Sequence, residues 1–246
     1  MTSTGTSAAH DLLYDQEGVR GLFDRMSGSY DRMNLVMSLG FSALWRRQLV
    51  SLVAGAPVPR TVLDMMSGRG ETWTEVFRRF PDAHLTAIDF AERMVAQSAL
   101  RNSQSFDERV LILGEDALSS SVPDGSIDVI VSAFGLKTFD VRQSERLAEE
   151  VARILRPGGA FAFIDVTEPP HLLLRFVYAT YLRCIVPIAG MLLLSDPTEY
   201  RMLHRYLAAY GDGSSSVNAF ARQPQLQIDV RRHFFGCATS ISGRRR

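Results

Sequence analysis

Thr61-Val62-Leu63-Asp64-Met65-Met66-Ser67-Gly68-Arg69-Gly70-Glu71 is an apolar run of strand length that breaks at a glycine-rich turn. A helical periodicity follows over Glu71 to Arg79. Small residues at such a turn let the backbone approach a ligand closely, and the helix start offers unpaired N–H groups. A strand-to-helix glycine turn is also an ordinary tight connection, so alone it names no ligand. The turn lacks GxGxxG and the Lys-Ser/Thr ending of a Walker loop. Outward from it, Thr61 to Met66, His84 to Ile88, Val110 to Leu113, Ile127 to Ser132 and Ala160 to Val166 read as short strands. Glu71 to Arg79, Ala91 to Arg101 and Arg142 to Leu155 read as amphipathic helices between them. This alternation predicts βαβ crossovers and a mostly parallel sheet with helices on both faces. Gln225 to Val230 and Phe234 to Ser240 add two edge strands, making seven, and Gly211 to Ser216 reads as a flexible loop. The expectation is one doubly wound, Rossmann-like α/β domain over 19–242. It carries a helical N-terminal cap (19–55) and a helical lid insertion (about 170–210), after a flexible 1–18.

The strand ends carry the chemistry. The second strand ends at Asp89, about 20 residues beyond the glycine turn, where a carboxylate can accept from both hydroxyls of a ribose. The third is followed by Gly114-Glu115-Asp116-Ala117. Asp64, Asp89 and Asp116 thus fall on successive strand ends along one sheet edge, where open α/β folds bind ligands. Each alone also reads as a helix cap or a solvated loop acid. Together they suit a nucleoside with an exposed ribose and an adenine amino group. So many carboxylates make a poor host for a pyrophosphate and a good one for a sulfonium, which points to S-adenosylmethionine over NAD.

The 246 residues are 46% hydrophobic and 22% charged, enough for a sizeable core. Lys plus Arg and Asp plus Glu are 27 each, and the only basic run is Arg244 to Arg246, so no nucleic-acid partner is expected. Cys184 and Cys237 fit neither a disulfide framework nor a metal spacing. With no zinc, magnesium or calcium ligand pattern, metal-independent chemistry is expected. Met1 to His10 lacks a basic start followed by an apolar stretch, so a cytoplasmic location is expected. Leu172 to Leu194 is long and apolar, but Arg175, Arg183, Pro187 and Gly190 interrupt it. A buried or lid helix followed by a turn is the preferred reading. Contact with a greasy substrate, with the membrane surface or with a second copy in a homodimer are the alternatives, and spanning ranks last.

A family resemblance rests on longer blocks. Phe23-Asp24-Arg25-Met26-Ser27-Gly28-Ser29-Tyr30-Asp31-Arg32-Met33-Asn34, Met37 to Gly40 and Trp45-Arg46 form one. Val62 to Gly70, Pro123 to Asp128, Phe134-Gly135-Leu136 and Arg153 to Gly159 form the others. Over roughly 19–242 the chain resembles the ubiquinone/menaquinone biosynthesis C-methyltransferases (UbiE type) among the class I methyltransferases that use S-adenosylmethionine. The resemblance implies a lipophilic quinol or phenol as methyl acceptor and S-adenosylhomocysteine as by-product. It implies that Tyr30, Ser67, Gly68 and Gly70 contact the methionine half of the cofactor, with Asp64 alongside. Asp89 would bind the ribose, Phe90 and Met94 flank the adenine, Asp116 and Ala117 hold its edge, and Ser132 or Ala133 line the floor beneath the methyl group. The family commonly reads FGLRN where this chain has Phe134-Gly135-Leu136-Lys137-Thr138. Lysine keeps the charge but loses the planar fork of donors, which points to a rebuilt acceptor pocket. A redirected acceptor, a specialised metabolite methylated on carbon or oxygen, is the alternative. A protein that binds the cofactor without methyl transfer is a third.

Carbon methylation of a phenol needs a base for the hydroxyl proton. His204, in the lid region, is the candidate; it also reads as a surface or core histidine. Lys137 is a candidate to stabilise the phenolate, or a solvated loop lysine. Asp165, at the end of the fifth strand, would orient the acceptor or cap the next helix. Trp45, Phe176, Tyr178 and Tyr181 are candidates for an aromatic acceptor wall, or plain core.

Overall fold

A computed structural model of the chain describes residues 13–28, 38, 40–55, 59–181 and 198–246. Seven strands form one sheet in the order β3-β2-β1-β4-β5-β7-β6. They are β1 Thr61–Met65, β2 His84–Ile88, β3 Val110–Leu113, β4 Ile127–Ala133, β5 Leu155–Val166, β6 Leu226–His233 and β7 Ala238–Arg245. The first five run parallel, and β7 lies antiparallel between β5 and β6. β1 and β4 are neighbours with β2 on the far side of β1, so the order reverses there and opens a crevice at the strand carboxyl ends.

Both faces of the sheet are covered, which is why β1 and β4 are apolar almost throughout. On one face Val62, Val129, Ala160 and Ala162 join Trp45 and Leu49 of α2 (Ser42–Leu52), Trp73 and Val76 of α3 (Trp73–Arg79) and Met94 of α4 (Glu92–Ser105). On the other, Leu63, Met65, Ile130, Phe161 and Phe163 pack with Leu147 and Val151 of α5 (Val141–Ile154) and with a later helix described below. A reciprocal cap starts α5. The Gln143 N–H donates to Asp140, and the Asp140 N–H donates to the Gln143 side chain. Ahead of α2, helix α1 (Gln16–Met26) lays Val19, Leu22 and Met26 on the first face. It begins ahead of the residue 19 boundary expected for the cap, and Tyr14 before it is already in the core.

Several boundaries differ from the sequence-based expectation. Phe234 to Ser240 is not one strand. Phe234 and Phe235 have φ of 43° and 58°, which a strand cannot use, and Cys237 N–H closes a tight turn onto the Phe234 carbonyl. β7 therefore starts at Ala238 and runs to Arg245. The Gly211 to Ser216 loop is shorter than expected, because Gly213 at φ 78° lets α8 (Ser214–Arg222) begin within it. Phe220 of α8 packs on Phe161 and Phe163. β5 is longer than expected, reaching back to Leu155 through a register shift against β4. The lid region contributes α6 (Leu172–Thr180) and α7 (Thr198–Tyr210). Residues 182–194 of the apolar 172–194 stretch, Cys184 among them, lie outside the described residues. Among the described residues no helix is long and apolar enough to cross a membrane.

Candidate active site

The glycine turn after β1 takes its shape from left-handed backbone. Gly68 and Gly70 have φ of 56° and 80°, where a side chain is strained. A Cβ on Gly70 would also lie 2.5 Å from the Trp73 ring. Asp89 locks this turn to the end of β2: its Oδ2 accepts from Gly68 N–H at 2.8 Å and its Oδ1 from Ala91 N–H at 3.0 Å. Asp89 also lines the crevice.

The crevice holds a cavity at the carboxyl ends of the strands. Asp89, Phe90, Met94, Asp116 and Ala117 wall one end, and Met66, Ala133, Phe134, Gly135 and Thr138 wall the other, with Gly68 also on the wall. These include five of the expected cofactor contacts beyond the glycine turn. At the floor Ala133 faces the cavity, while the Ser132 hydroxyl is buried without a hydrogen-bond partner. Tyr30 lies outside the described residues.

Sequence reasoning missed the roof. Gln16, Val19 and Phe23 of α1 line the cavity together with Tyr14, Phe139 and Gln143. The Gln16 amide donates to Asp116 Oδ2 at 2.9 Å, and Leu118 N–H holds Asp116 Oδ1. Gln143 reaches the Tyr14 carbonyl at 3.2 Å, tying the start of α1 down on the opposite side. The spacing of 16, 19 and 23 is a readable helical stripe, but the same stripe would serve a helix packed on core.

Asp64 is buried within β1, set back from the cavity wall, and neither of its oxygens has a hydrogen-bond partner of normal geometry among the described residues. Burial pushes its pKa up to about 8; the Arg46 charge and the Trp73 indole pull it down, and Asp89 adds to the rise. Burial likewise raises Asp89 to about 6, against the pull of the Ala91 and Gly68 N–H groups. An unpartnered buried carboxylate, unpartnered Ser67 and Ser132 hydroxyls and a glycine cradle fit a cationic nucleoside. S-adenosylmethionine has that chemistry. Asp89 would take its ribose, Met94, Phe90 and Ala117 its adenine, and the Ser67 to Gly70 turn its methionine end.

The catalytic candidates are placed differently. Lys137 and Asp165 are brought together, but not on the cavity wall. Lys137 lies in a single helical turn, Leu136–Thr138, with its Nζ 3.2 Å from Asp165 Oδ1, and both are buried. The Lys137 N–H donates to Asp165 Oδ2 at 2.9 Å, Val166 N–H to Oδ1, and Lys137 Nζ to the Phe134 carbonyl. Lys137 is therefore no solvated loop residue, and Asp165 caps no following helix. Their bonds hold the Phe134 to Thr138 turn, whose Phe134 has a left-handed φ of 68°. His204 belongs to α7, but its side chain lies outside the described residues. Of the aromatic candidates, Trp45 and Tyr178 are buried, Tyr181 is half-buried, and Phe176 is exposed, which corrects its place in an acceptor wall. His171 precedes α6 without a side-chain capping bond.

The chain matches the ubiE/COQ5 methyltransferase family over residues 11–242. A demethylmenaquinone methyltransferase of Thermus thermophilus is 31% identical over 77% of this chain and 84% of that protein. One from Bacteroides fragilis is 26% identical over 91% and 90%. Among solved structures, a SAM-dependent methyltransferase from Aquifex aeolicus superposes with a TM-score of 0.57 at 17% identity, covering 87% of this chain and 98% of that one. The plantazolicin methyltransferase BpumL, solved in complex with SAH, gives 0.61 at 15%, covering 97% and 94%. At such identities the structures show the fold alone. With the family match spanning nearly the whole domain and a cavity suited to the cofactor, the chain belongs to the ubiE/COQ5 methyltransferase family and is an S-adenosylmethionine-dependent methyltransferase.

Proposed function

We propose that the chain methylates a ring carbon of a reduced, lipophilic quinol. The observation that carries this is the cavity itself, which joins the acid pair Asp89 and Asp116 to an apolar end built from Met66, Ala133, Phe134 and Gly135. The names of the Thermus and Bacteroides relatives support a demethylmenaquinol-type acceptor. Bound at the acidic end, the cofactor supplies a methyl group on a positively charged sulfur. The chain's own part is to fix geometry and exclude water, since alignment accounts for much of the rate in such a displacement. Asp89 anchors one end through the glycine turn, and the Lys137–Asp165 pair holds the Phe134 turn at the other. The acceptor's hydroxyl gives up its proton, its ortho carbon takes the methyl as the methyl–sulfur bond breaks toward a neutral thioether, and that carbon's own proton then leaves to restore the ring while the oxygen regains a proton. His204 is the base proposed for the hydroxyl, and the pH–rate profile of His204→Ala tests it. Lipophilic acceptors reside in membranes, and contact of the 172–194 region with the membrane surface belongs to the same reading. A homodimer through that region is the competing use.

A second reading is favoured by one feature. Thr138 faces the cavity where the family's asparagine is expected, and its hydroxyl is already committed to the Gly135 carbonyl at 2.7 Å. The acceptor end therefore offers fewer free polar contacts, which suits a redirected phenolic or terpenoid acceptor. A labelled-methyl assay with reduced short-chain demethylmenaquinone separates the two. Label in the organic extract supports the quinol; its absence, with cofactor binding confirmed in the same preparation, supports the redirected pocket.

A further inference from the structure

Two residues with side chains hold a left-handed backbone on the cavity wall. Met66 follows β1 with φ of 55°, and Phe134 follows β4 with φ of 68°. β1 and β4 pair side by side, Asp64 opposite Val131, so Met66 and Phe134 leave neighbouring strands in the same direction. Just beyond Met66, Gly68 and Gly70 meet a left-handed demand without steric cost. Methionine is disfavoured in that conformation, and a strained residue of this kind on a site wall points to a use for its side chain.

The side chain of Met66 lies against Gly135. A Cβ on Gly135 would fall 2.6 Å from Met66 Sδ, 3.0 Å from its Cε and 3.1 Å from its Cβ. Gly135 has φ of −99°, a backbone that any residue adopts, so its own conformation does not call for glycine. The missing side chain instead makes room for the thioether arm of Met66. That arm crosses from the end of β1 to the Leu136–Thr138 turn, and Met66 and Gly135 both line the cavity. Its neighbours on the wall are held in place. The Phe134 ring lies 6.4 Å from Trp45, the Arg46 guanidinium sits 5.2 Å from its centroid, and the Thr138 hydroxyl donates to the Gly135 carbonyl. The unbranched arm of Met66 is free of such bonds and fills the gap between the two turns. Asp89 and Asp116 stand at the β2 and β3 ends, so an adenosine held there directs the methyl group and its acceptor to the β1–β4 side, where this arm lies.

We propose that Met66 sets the ring width of the methyl acceptor, its side chain closing the apolar end against Gly135 to a slot that takes two fused rings and turns away a third. The two-ring acceptor rests on the quinol reading above; the narrowing rests on the Met66–Gly135 contact. A pocket wall of this kind discriminates by size, since one or two heavy atoms in an apolar pocket change affinity by about tenfold or more.

Three variants test it. Met66→Gly removes the arm and suits the backbone, Met66→Ala removes the arm alone, and Met66→Leu keeps its bulk. Each whole protein, saturated with S-adenosylhomocysteine, is titrated by calorimetry with 1-naphthol and with 1-anthrol in the same detergent. The parent is expected to favour the naphthol. Met66→Gly and Met66→Ala should each move the affinity ratio toward the anthrol about tenfold, while Met66→Leu keeps the parent's ratio. The Kd for S-adenosylhomocysteine should stay at the parent's value throughout, which a damaged site would not allow. A ratio unmoved in both smaller variants, a ratio moved as far by leucine, a cofactor Kd that weakens in step, or no ring bound by any of the proteins would overturn the proposal. Binding is read without turnover. Failure to methylate reduced demethylmenaquinone therefore sinks the quinol reading, and the titrations still decide the role of Met66.

Discussion

Asp64 and Asp89 are acids whose raised pKa values have opposite consequences for folding and for binding. The raised Asp64 pKa, about 8 against an ordinary 3.8, means that the folded state holds its proton more tightly than the unfolded chain. That proton's contribution to stability is fully present below the unfolded value and is lost as pH rises through about 8. Asp64→Asn removes the penalty of a buried charge, so the cofactor-free variant should be more stable than its parent near pH 8. The gap should narrow toward pH 5, as read by urea unfolding; an equal gap at both pH values would count against the buried charge. Cofactor affinity should move the other way, because the variant no longer offers a carboxylate to a cation. Asp89→Asn tests the ribose contact. Losing charge-assisted hydrogen bonds of about 1.5–3 kcal/mol should raise the cofactor Kd roughly ten- to a hundredfold in calorimetry. An unchanged Kd would remove Asp89 from the site.

Among the elements, the Leu136–Thr138 turn shows what sequence could and could not convey. Its residues were recognisable through Phe134-Gly135-Leu136, but a lysine on a loop reads as solvated, and only the fold brings Asp165 from the end of β5 to meet it. Breaking a buried pair from one side is costly because the other charge stays behind. Lys137→Met should therefore lower stability by about 3–5 kcal/mol, whereas Lys137→Met combined with Asp165→Asn, which removes the charge but keeps an acceptor for the Lys137 and Val166 N–H groups, should recover most of it. If the double variant is no more stable than the single, the pair is not what holds the turn. Loss of turnover in that refolded double variant, with cofactor Kd unchanged, is the expected sign that the pair positions the Phe134 wall. The β6–β7 turn is the opposite case: the run from Phe234 to Ser240 read as an edge strand, and two consecutive left-handed phenylalanines overrode it. Nothing in apolar patterning reports such a backbone. The roof helix α1 fell between the two, legible as a helix but not as the partner of Asp116, which Gln16 reaches from 100 residues away.

For the whole molecule, strand and helix alternation was enough to announce a doubly wound sheet, since the central strands β1, β4 and most of β5 are buried on both faces. The first four parallel strands lie close to their expected residues because those runs have no polar alternative, while β5 reaches back to Leu155. The order of strands was not legible, and it is the order that puts β1 beside β4 and so sets Gly68 and Phe134 on one cavity. Family resemblance and cavity shape converge on methyl transfer, while Lys137 and Thr138 depart from the family's usual pattern at the acceptor end. Nuclear magnetic resonance of the product made from methyl-labelled S-adenosylmethionine and reduced short-chain demethylmenaquinone addresses this most directly. The expected result is a labelled methyl group on the ring carbon ortho to a hydroxyl. A labelled methoxy group, or no labelled product from a protein shown to bind the cofactor, would contradict carbon methylation of a quinol.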